Sequence, residues 1–114
     1  MKLGISRRGA FSLAAVVAAG RAFGQSGVVH GDIHEVTMQG MKFVPATIMA
    51  KSGDGIRWTN LDLAPHTATA TDARWTSPTL KKGETFTLEV TASMAGTYKC
   101  HFHPQMAGEI ALLR

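Results

Sequence analysis

One short stretch near the C-terminus, Gly96 to Met106, constrains this chain more than any other. It contains Cys100, the only cysteine, and His103 and Met106 follow it at intervals of three residues. A thiolate, an imidazole and a thioether form a soft donor set, which suits copper better than other common metals. Strand-like residues precede and follow the stretch, so we expect a short loop that is held at both ends and can fix ligand geometry.

A second segment supplies another histidine. Pro65 and His66 lie upstream, with His66 34 positions before Cys100. Together with the late Gly-Thr-Tyr-x-Cys-x-x-His-Pro-x-Met loop, this Pro-His pair resembles the cupredoxins, the small blue copper proteins, and especially their amicyanin- and plastocyanin-like members. The resemblance covers nearly the whole chain after the N-terminal leader. It implies a single copper ion with His66, Cys100 and His103 as equatorial ligands and Met106 as the weak axial ligand.

One position departs from the family pattern. Asn often follows the first ligand histidine in cupredoxins, whereas this chain has Thr67. Hydrogen bonds around a ligand sulfur tune the metal that it binds. The redox potential of the family therefore cannot be transferred to this chain.

Alternation of apolar and polar residues dominates the chain after residue 32. In the segment Ile56 to Asn60, for example, Ile56, Trp58 and Asn60 fall on one face and Arg57 and Thr59 on the other. Such segments, separated by turn signals, predict seven or eight short strands and no convincing helix. Half-apolar strands are readily buried between two packed sheets. The resemblance implies the same fold class, an all-β Greek-key β-sandwich of the cupredoxin type.

The N-terminus has the features of an export signal. Arg7 and Arg8 precede a short apolar run, which favours the twin-arginine route. That run is too short to span a bilayer, which needs about 20 residues, although an uncleaved interfacial anchor is an alternative. We expect a periplasmic protein with three parts: an export signal over residues 1–24, removed on export; a loose segment over 25–32; and a cupredoxin domain over 33–114.

The charge of the chain is concentrated in this leader. Four of the 12 basic residues lie there, whereas all eight acidic residues follow it. The mature chain is therefore nearly neutral, with eight residues of each sign. This balance gives no basic surface for nucleic acid, and the short apolar run argues against stable membrane insertion.

Other cofactors fit the sequence less well than copper. A c-type haem needs Cys-x-x-Cys-His, but the position of the first cysteine is occupied by Thr97. Structural zinc prefers four Cys or His ligands, and an iron–sulfur cluster needs several cysteines.

Taken singly, Cys100 and Met106 could also be ordinary core residues, and Met41 and Met94 are weaker candidates for the axial position. We interpret His101 as a surface residue of the loop.

Three functions remain open. The first is an electron carrier, not an enzyme, that acts as a monomer and docks transiently near His103 with redox partners such as a dehydrogenase, a cytochrome or an oxidase. The second is a protein that binds and delivers copper without cycling it. The third is a thiol enzyme that uses Cys100 as its nucleophile with His66 or His103 as base, for which the sequence offers no acidic orienting residue near the loop.

Overall fold

The computed structural model describes residues 25–26 and 29–113, so the expected export signal lies outside the described residues. Within them the chain forms nine strands and one short 3₁₀ helix. In chain order these are β1 (Gln25–Ser26), β2 (Ile33–Met38), β3 (Phe43–Val44), β4 (Thr47–Ala50), β5 (Gly55–Asn60), β6 (Thr69–Ala70), β7 (Thr85–Glu89), the 3₁₀ helix (Ala92–Met94), β8 (Gly96–Lys99) and β9 (Ala107–Leu112).

The strands form two sheets. One has the order β4-β9-β8-β6 and the other the order β1-β7-β5-β2-β3. Four of the seven strand pairs in the described residues are antiparallel, whereas β1 with β7, β2 with β5 and β4 with β9 are parallel. The predicted all-β sandwich is confirmed. No helix in the described part of the chain is long and apolar enough to cross a membrane.

The core is centred on an aromatic cluster. Trp58 on β5 and Tyr98 on β8 are both fully buried, and their ring centroids lie 5.6 Å apart in an edge-on arrangement. Phe43 and Phe86 pack against this pair at 4.6 Å from Tyr98 and 6.3 Å from Trp58. The predicted faces of β5 are confirmed, because Ile56, Trp58 and Asn60 are buried whereas Arg57 and Thr59 are half-exposed. Alternating strand side chains therefore build the core as the sequence indicated.

The segment before β2 has some secondary structure. Gln25 and Ser26 pair in parallel with Thr87 and Leu88 of β7, although we expected residues 25–32 to be loose. Farther along, the amides of His30 and Gly31 both donate to the carbonyl of Gly53 at 2.9 Å. Backbone hydrogen bonds thus join parts of this segment to the sandwich.

Candidate metal centre

The late loop connects two neighbouring antiparallel strands. β8 ends at Lys99 and β9 begins at Ala107. Between them, the Cys100 amide donates to the Met106 carbonyl at 3.0 Å, and the Met106 amide donates to the His103 carbonyl at 2.8 Å. These bonds close the loop across its base, so the loop is held at both ends as predicted.

His66 is held over this loop by backbone pairing. Its amide donates to the Leu80 carbonyl at 3.1 Å, and the Leu80 amide donates to the His66 carbonyl at 2.8 Å. The His66 side chain is fully buried. A histidine far from the loop in sequence is therefore fixed beside it.

The structure brings three of the predicted ligands together. The candidate ligand atoms of His66, Cys100 and His103 all lie within 4.8 Å of one another. The Cys100 Sγ atom lies 3.6 Å from the His66 Nδ1 atom and 3.7 Å from the His103 Nδ1 atom. The two imidazole rings meet edge-on with centroids 5.1 Å apart. One thiol and two ring nitrogens thus converge on one point, and His66 and Cys100 are both fully buried there.

Met106, the fourth predicted ligand, lies in the interior at the base of the same loop. Only 2% of its surface is exposed. Its backbone is bonded to Cys100 and His103, as described above. The structure therefore places Met106 in the core, on the same loop as Cys100 and His103.

Asp62 contacts the candidate site, which the sequence did not reveal. Its Oδ2 atom lies 2.9 Å from the His66 Nε2 atom, and its carboxylate also accepts the amides of Gly40 at 2.8 Å and Met41 at 3.0 Å. The Met41 amide, followed by the His66 ring, lowers the pKa of Asp62 from its ordinary value. A carboxylate that accepts from Nε2–H leaves the Nδ1 lone pair of His66 free for a metal. A carboxylate four positions before a ligand histidine was the available signal.

Thr67 makes two contacts with the late loop. Its amide donates to the Cys100 Sγ atom at 3.4 Å. Its Oγ1 atom accepts the amide of His101 at 2.9 Å. The residue that departs from the family pattern therefore takes part directly in the hydrogen bonding around the sulfur. The His101 side chain itself is exposed, as the sequence interpretation held.

The surface around the half-buried His103 is largely apolar. Phe102 is 48% exposed, and Pro104 is also exposed. Leu61 and Leu63, on the segment before His66, are further exposed apolar residues that we did not single out from the sequence; Leu63 is 87% exposed. Met106 is buried and does not contribute to this surface.

Comparison with known proteins agrees with this geometry. Residues 10–112 match the family model of the cupredoxin-like domain. The chain is 28% identical over 108 residues to amicyanin-alpha of Methylorubrum extorquens, a match that covers 90% of both chains. Among solved structures, it is similar to the Cu(I) form of an amicyanin variant with a methionine replaced by alanine. That match has 29% identity and a TM-score of 0.62, and it covers 75% of this chain and 86% of the other.

A second solved structure is the oxidised form of an amicyanin variant with a methionine replaced by leucine. It matches with 25% identity and a TM-score of 0.60, covering 70% of this chain and 81% of the other. The family model spans most of the chain, and both sheets of the sandwich and the converging His-Cys-His side chains agree with it. This chain therefore belongs to the cupredoxin-like domain family and is an amicyanin-like member of it.

Proposed function

We propose that the protein is a periplasmic electron carrier that holds one type 1 copper ion through His66, Cys100, His103 and Met106. One observation carries the proposal: the Cys100 sulfur lies 3.6 and 3.7 Å from the Nδ1 atoms of two histidines. These histidines come from separate segments of a folded sandwich, so the site is assembled by the fold itself.

The donor set fits copper. Two imidazoles and a thiolate with a weak thioether are the ligands of blue-copper electron-transfer sites. Copper bound there would supply a one-electron Cu(I)/Cu(II) couple. Structural zinc sites, by contrast, are built from Cys and His without thioether. The amicyanin relative solved in its Cu(I) form supports the same metal.

The protein residues provide a rigid and dry environment. His66 and Cys100 are fully buried, which keeps water from the thiolate. Asp62 fixes the tautomer of His66, and the base of the loop is closed by backbone hydrogen bonds. Four protein ligands also leave no open position of the kind that catalytic metal sites retain. These features support a carrier rather than an enzyme.

Electron exchange would take place at the exposed edge of the site. His103 is half-buried beside the exposed Phe102 and Pro104. A nearly neutral apolar surface favours brief encounters over tight binding. The protein would thus act as a monomer that docks transiently with a redox protein, such as a dehydrogenase, a cytochrome or an oxidase.

Replacing Pro104 is expected to slow electron exchange with the partner while the visible spectrum stays unchanged. Unchanged rates of electron exchange would exclude this surface as the docking site.

The leader supports export to the periplasm. We infer that residues 1–24 are removed as a signal, after which residues 33–114 form the functional domain. Mass spectrometry of the protein isolated from the periplasm tests this directly, since the mature chain should begin near Gln25. A chain that retains its leader there would contradict the inference.

The deciding experiment is an absorption spectrum during titration with Cu(II). An intense visible band is expected for the wild-type protein, and Cys100→Ser should abolish it because the charge transfer requires the thiolate. Met106→Leu should keep the band but raise the reduction potential, because it removes an axial electron donor. Copper uptake without the visible band would refute the type 1 copper site. A coloured protein that a mild donor cannot reduce reversibly would instead be a copper-delivery protein.

A further inference from the structure

Three threonine hydroxyls form a continuous chain from the protein surface to the late loop. The Oγ1 atom of Thr67 lies 2.9 Å from that of Thr69, which lies 2.7 Å from that of Thr76. At the surface end, Thr76 Oγ1 donates to the Ser77 carbonyl at 2.9 Å. At the inner end, Thr67 Oγ1 accepts the amide of His101 at 2.9 Å. We call Thr67, Thr69 and Thr76 the hydroxyl chain.

The direction of every bond in the hydroxyl chain is fixed. A carbonyl can only accept and a backbone amide can only donate, and each hydroxyl has a single proton. Thr76 gives its proton to the Ser77 carbonyl, so the bond between Thr69 and Thr76 uses the Thr69 proton. The remaining bond then uses the Thr67 proton. All four bonds are satisfied by this one arrangement, in which protons point outward from the loop.

A one-way chain of this kind strengthens its own members. Hydrogen bonds in series polarise one another, since a hydroxyl that donates its proton becomes a better acceptor. Thr67 Oγ1 is therefore a stronger acceptor for the His101 amide than an isolated threonine would be. His101 follows Cys100 directly, and the Thr67 amide itself donates to the Cys100 sulfur. Thr67 thus holds both the backbone directly after Cys100 and the Cys100 sulfur, and its hydroxyl makes the first of these two contacts.

We infer that Thr69 and Thr76 are positioning residues for the metal site and act on it through Thr67. This inference rests on the proposed copper function. The hydroxyl chain explains how the threonine at position 67 can accept the His101 amide, because the Thr67 hydroxyl proton points outward, away from the loop. Exposure increases along the chain: Thr67 is 5% exposed, Thr69 is half-buried and Thr76 is exposed. The exposed Thr76 side chain would therefore influence how the buried Cys100 ligand is positioned.

The test removes one hydroxyl at a time. Thr69→Val and Thr76→Val interrupt the hydroxyl chain at its middle and at its surface end. Thr71→Val is the matched control, because the Thr71 hydroxyl pairs with that of Thr97 at 2.8 Å on the exposed surface. Thr76→Ser keeps a hydroxyl and should restore wild-type behaviour. Thr76 is exposed, so its variants should fold even if Thr69→Val does not.

The first readout uses the copper-free protein. NMR hydrogen exchange at the His101 amide should become about fivefold faster in Thr69→Val and Thr76→Val, the effect of weakening one hydrogen bond. Thr71→Val and Thr76→Ser should leave that rate unchanged. The second readout is the reduction potential of the copper-loaded protein. It should shift in the first two variants, because the backbone amide directly after Cys100 is then held less firmly and the cysteine ligand is less tightly positioned.

Two results would overturn the inference. The first is an unchanged His101 exchange rate and reduction potential in Thr76→Val. The second is an equal effect in Thr71→Val, which would show general loosening of the surface. These outcomes are separate from failure of the proposed function. A protein that takes up no copper would refute the function, whereas the exchange rates of the copper-free protein would still decide whether the hydroxyl chain acts on the loop.

Discussion

At the residue scale, the candidate site depends on side chains that are not themselves ligands. Asp62 accepts from the His66 ring and from two backbone amides of the loop between β2 and β3. The carboxylate thus connects His66, the first candidate ligand, to a part of the chain more than 20 residues upstream. Such partners hold a metal-binding histidine in one orientation and one tautomer.

Removing this carboxylate should weaken copper binding. We expect Asp62→Ala to lower the affinity for copper by about 10- to 100-fold, because the His66 ring loses the partner that fixes its orientation. A competition titration with a chelator of known affinity measures the change. Asp72→Ala is the control: it removes the same charge, but Asp72 pairs with Arg74 at the exposed surface. Equal losses in the two variants would contradict a specific role for Asp62.

The sequence predicted the candidate ligands but not the residues that support them. Cys100, His103 and Met106 are spaced three residues apart, so the sequence alone shows them as a group. The contact of Asp62 depends on the loop conformation at Gly40 and Met41, both of which have positive φ, at 65° and 62°. A positive φ at a methionine is uncommon and cannot be read from residue type. The hydroxyl chain likewise requires strands and loops to meet in three dimensions.

At the element scale, alternation predicted most strands well because one face of each strand is buried. It failed at the segment after His66. Alternation places Thr67 on the face opposite His66 and Ala68, but all three residues are buried. The reason is that the late loop covers this segment, since Thr67 is bonded to Cys100 and His101. Strand order and the parallel pairs β2–β5 and β4–β9 also escaped prediction, because pairing between distant strands leaves no local pattern.

The pairing of β8 with β9 depends on a glycine. Tyr98 lies directly opposite Gly108, and its ring covers the position that a side chain would occupy there. A Cβ atom on Gly108 would lie 2.5 Å from the Tyr98 Cζ atom and 2.6 Å from its hydroxyl oxygen. Tyr98 is fully buried and also accepts from the Trp58 indole at 3.3 Å, so the ring cannot move freely.

Gly108→Ala should therefore destabilise the fold. We expect a loss of about 1–3 kcal/mol, the usual cost of forcing extra atoms into a packed interior. Urea unfolding of the copper-free protein measures it. A double-mutant cycle identifies the cause, because the same substitution in a Tyr98→Ala background should cost little. An equal cost in both backgrounds would show that the backbone at position 108, rather than the tyrosine ring, requires glycine.

At the scale of the whole molecule, β5 connects two groups of polar contacts. Asn60 ends the strand near the metal site, where its side-chain amide donates to the carbonyls of Ala64 and Leu80. Asp54 precedes the strand at its other end, about 20 Å away for six strand residues. The Asp54 carboxylate is 2.9 Å from the His34 Nε2 atom and accepts the amides of Asp32 and Lys51. This carboxylate joins the start of β2 to the turn before β5, at the end of β5 opposite the candidate metal site.

The Asp54 contacts make the fold sensitive to acid. The hydrogen bond to His34 is the largest cause that lowers the pKa of Asp54 below 3.8, and the Lys51 amide is the next. A carboxyl group whose pKa is lower in the folded state contributes stability that is fully present above its unfolded pKa. That contribution is lost as pH falls through the pKa of the carboxyl group in the folded state. We therefore expect wild-type stability to exceed that of Asp54→Asn most at neutral pH, with the two converging in strong acid.

The measurement is urea unfolding of copper-free protein from about pH 7 to about pH 2, the range over which carboxyl groups titrate. Copper must be absent because ligand histidines bind protons in competition with metal, which adds a separate acid sensitivity. Asp72→Asn, at an exposed ion pair, should follow the wild-type curve closely. Parallel curves for wild type and Asp54→Asn would show that this carboxylate does not link folding to protons. A narrowing difference in stability between wild type and Asp54→Asn would place part of the acid sensitivity at the end of the sandwich opposite the candidate metal site.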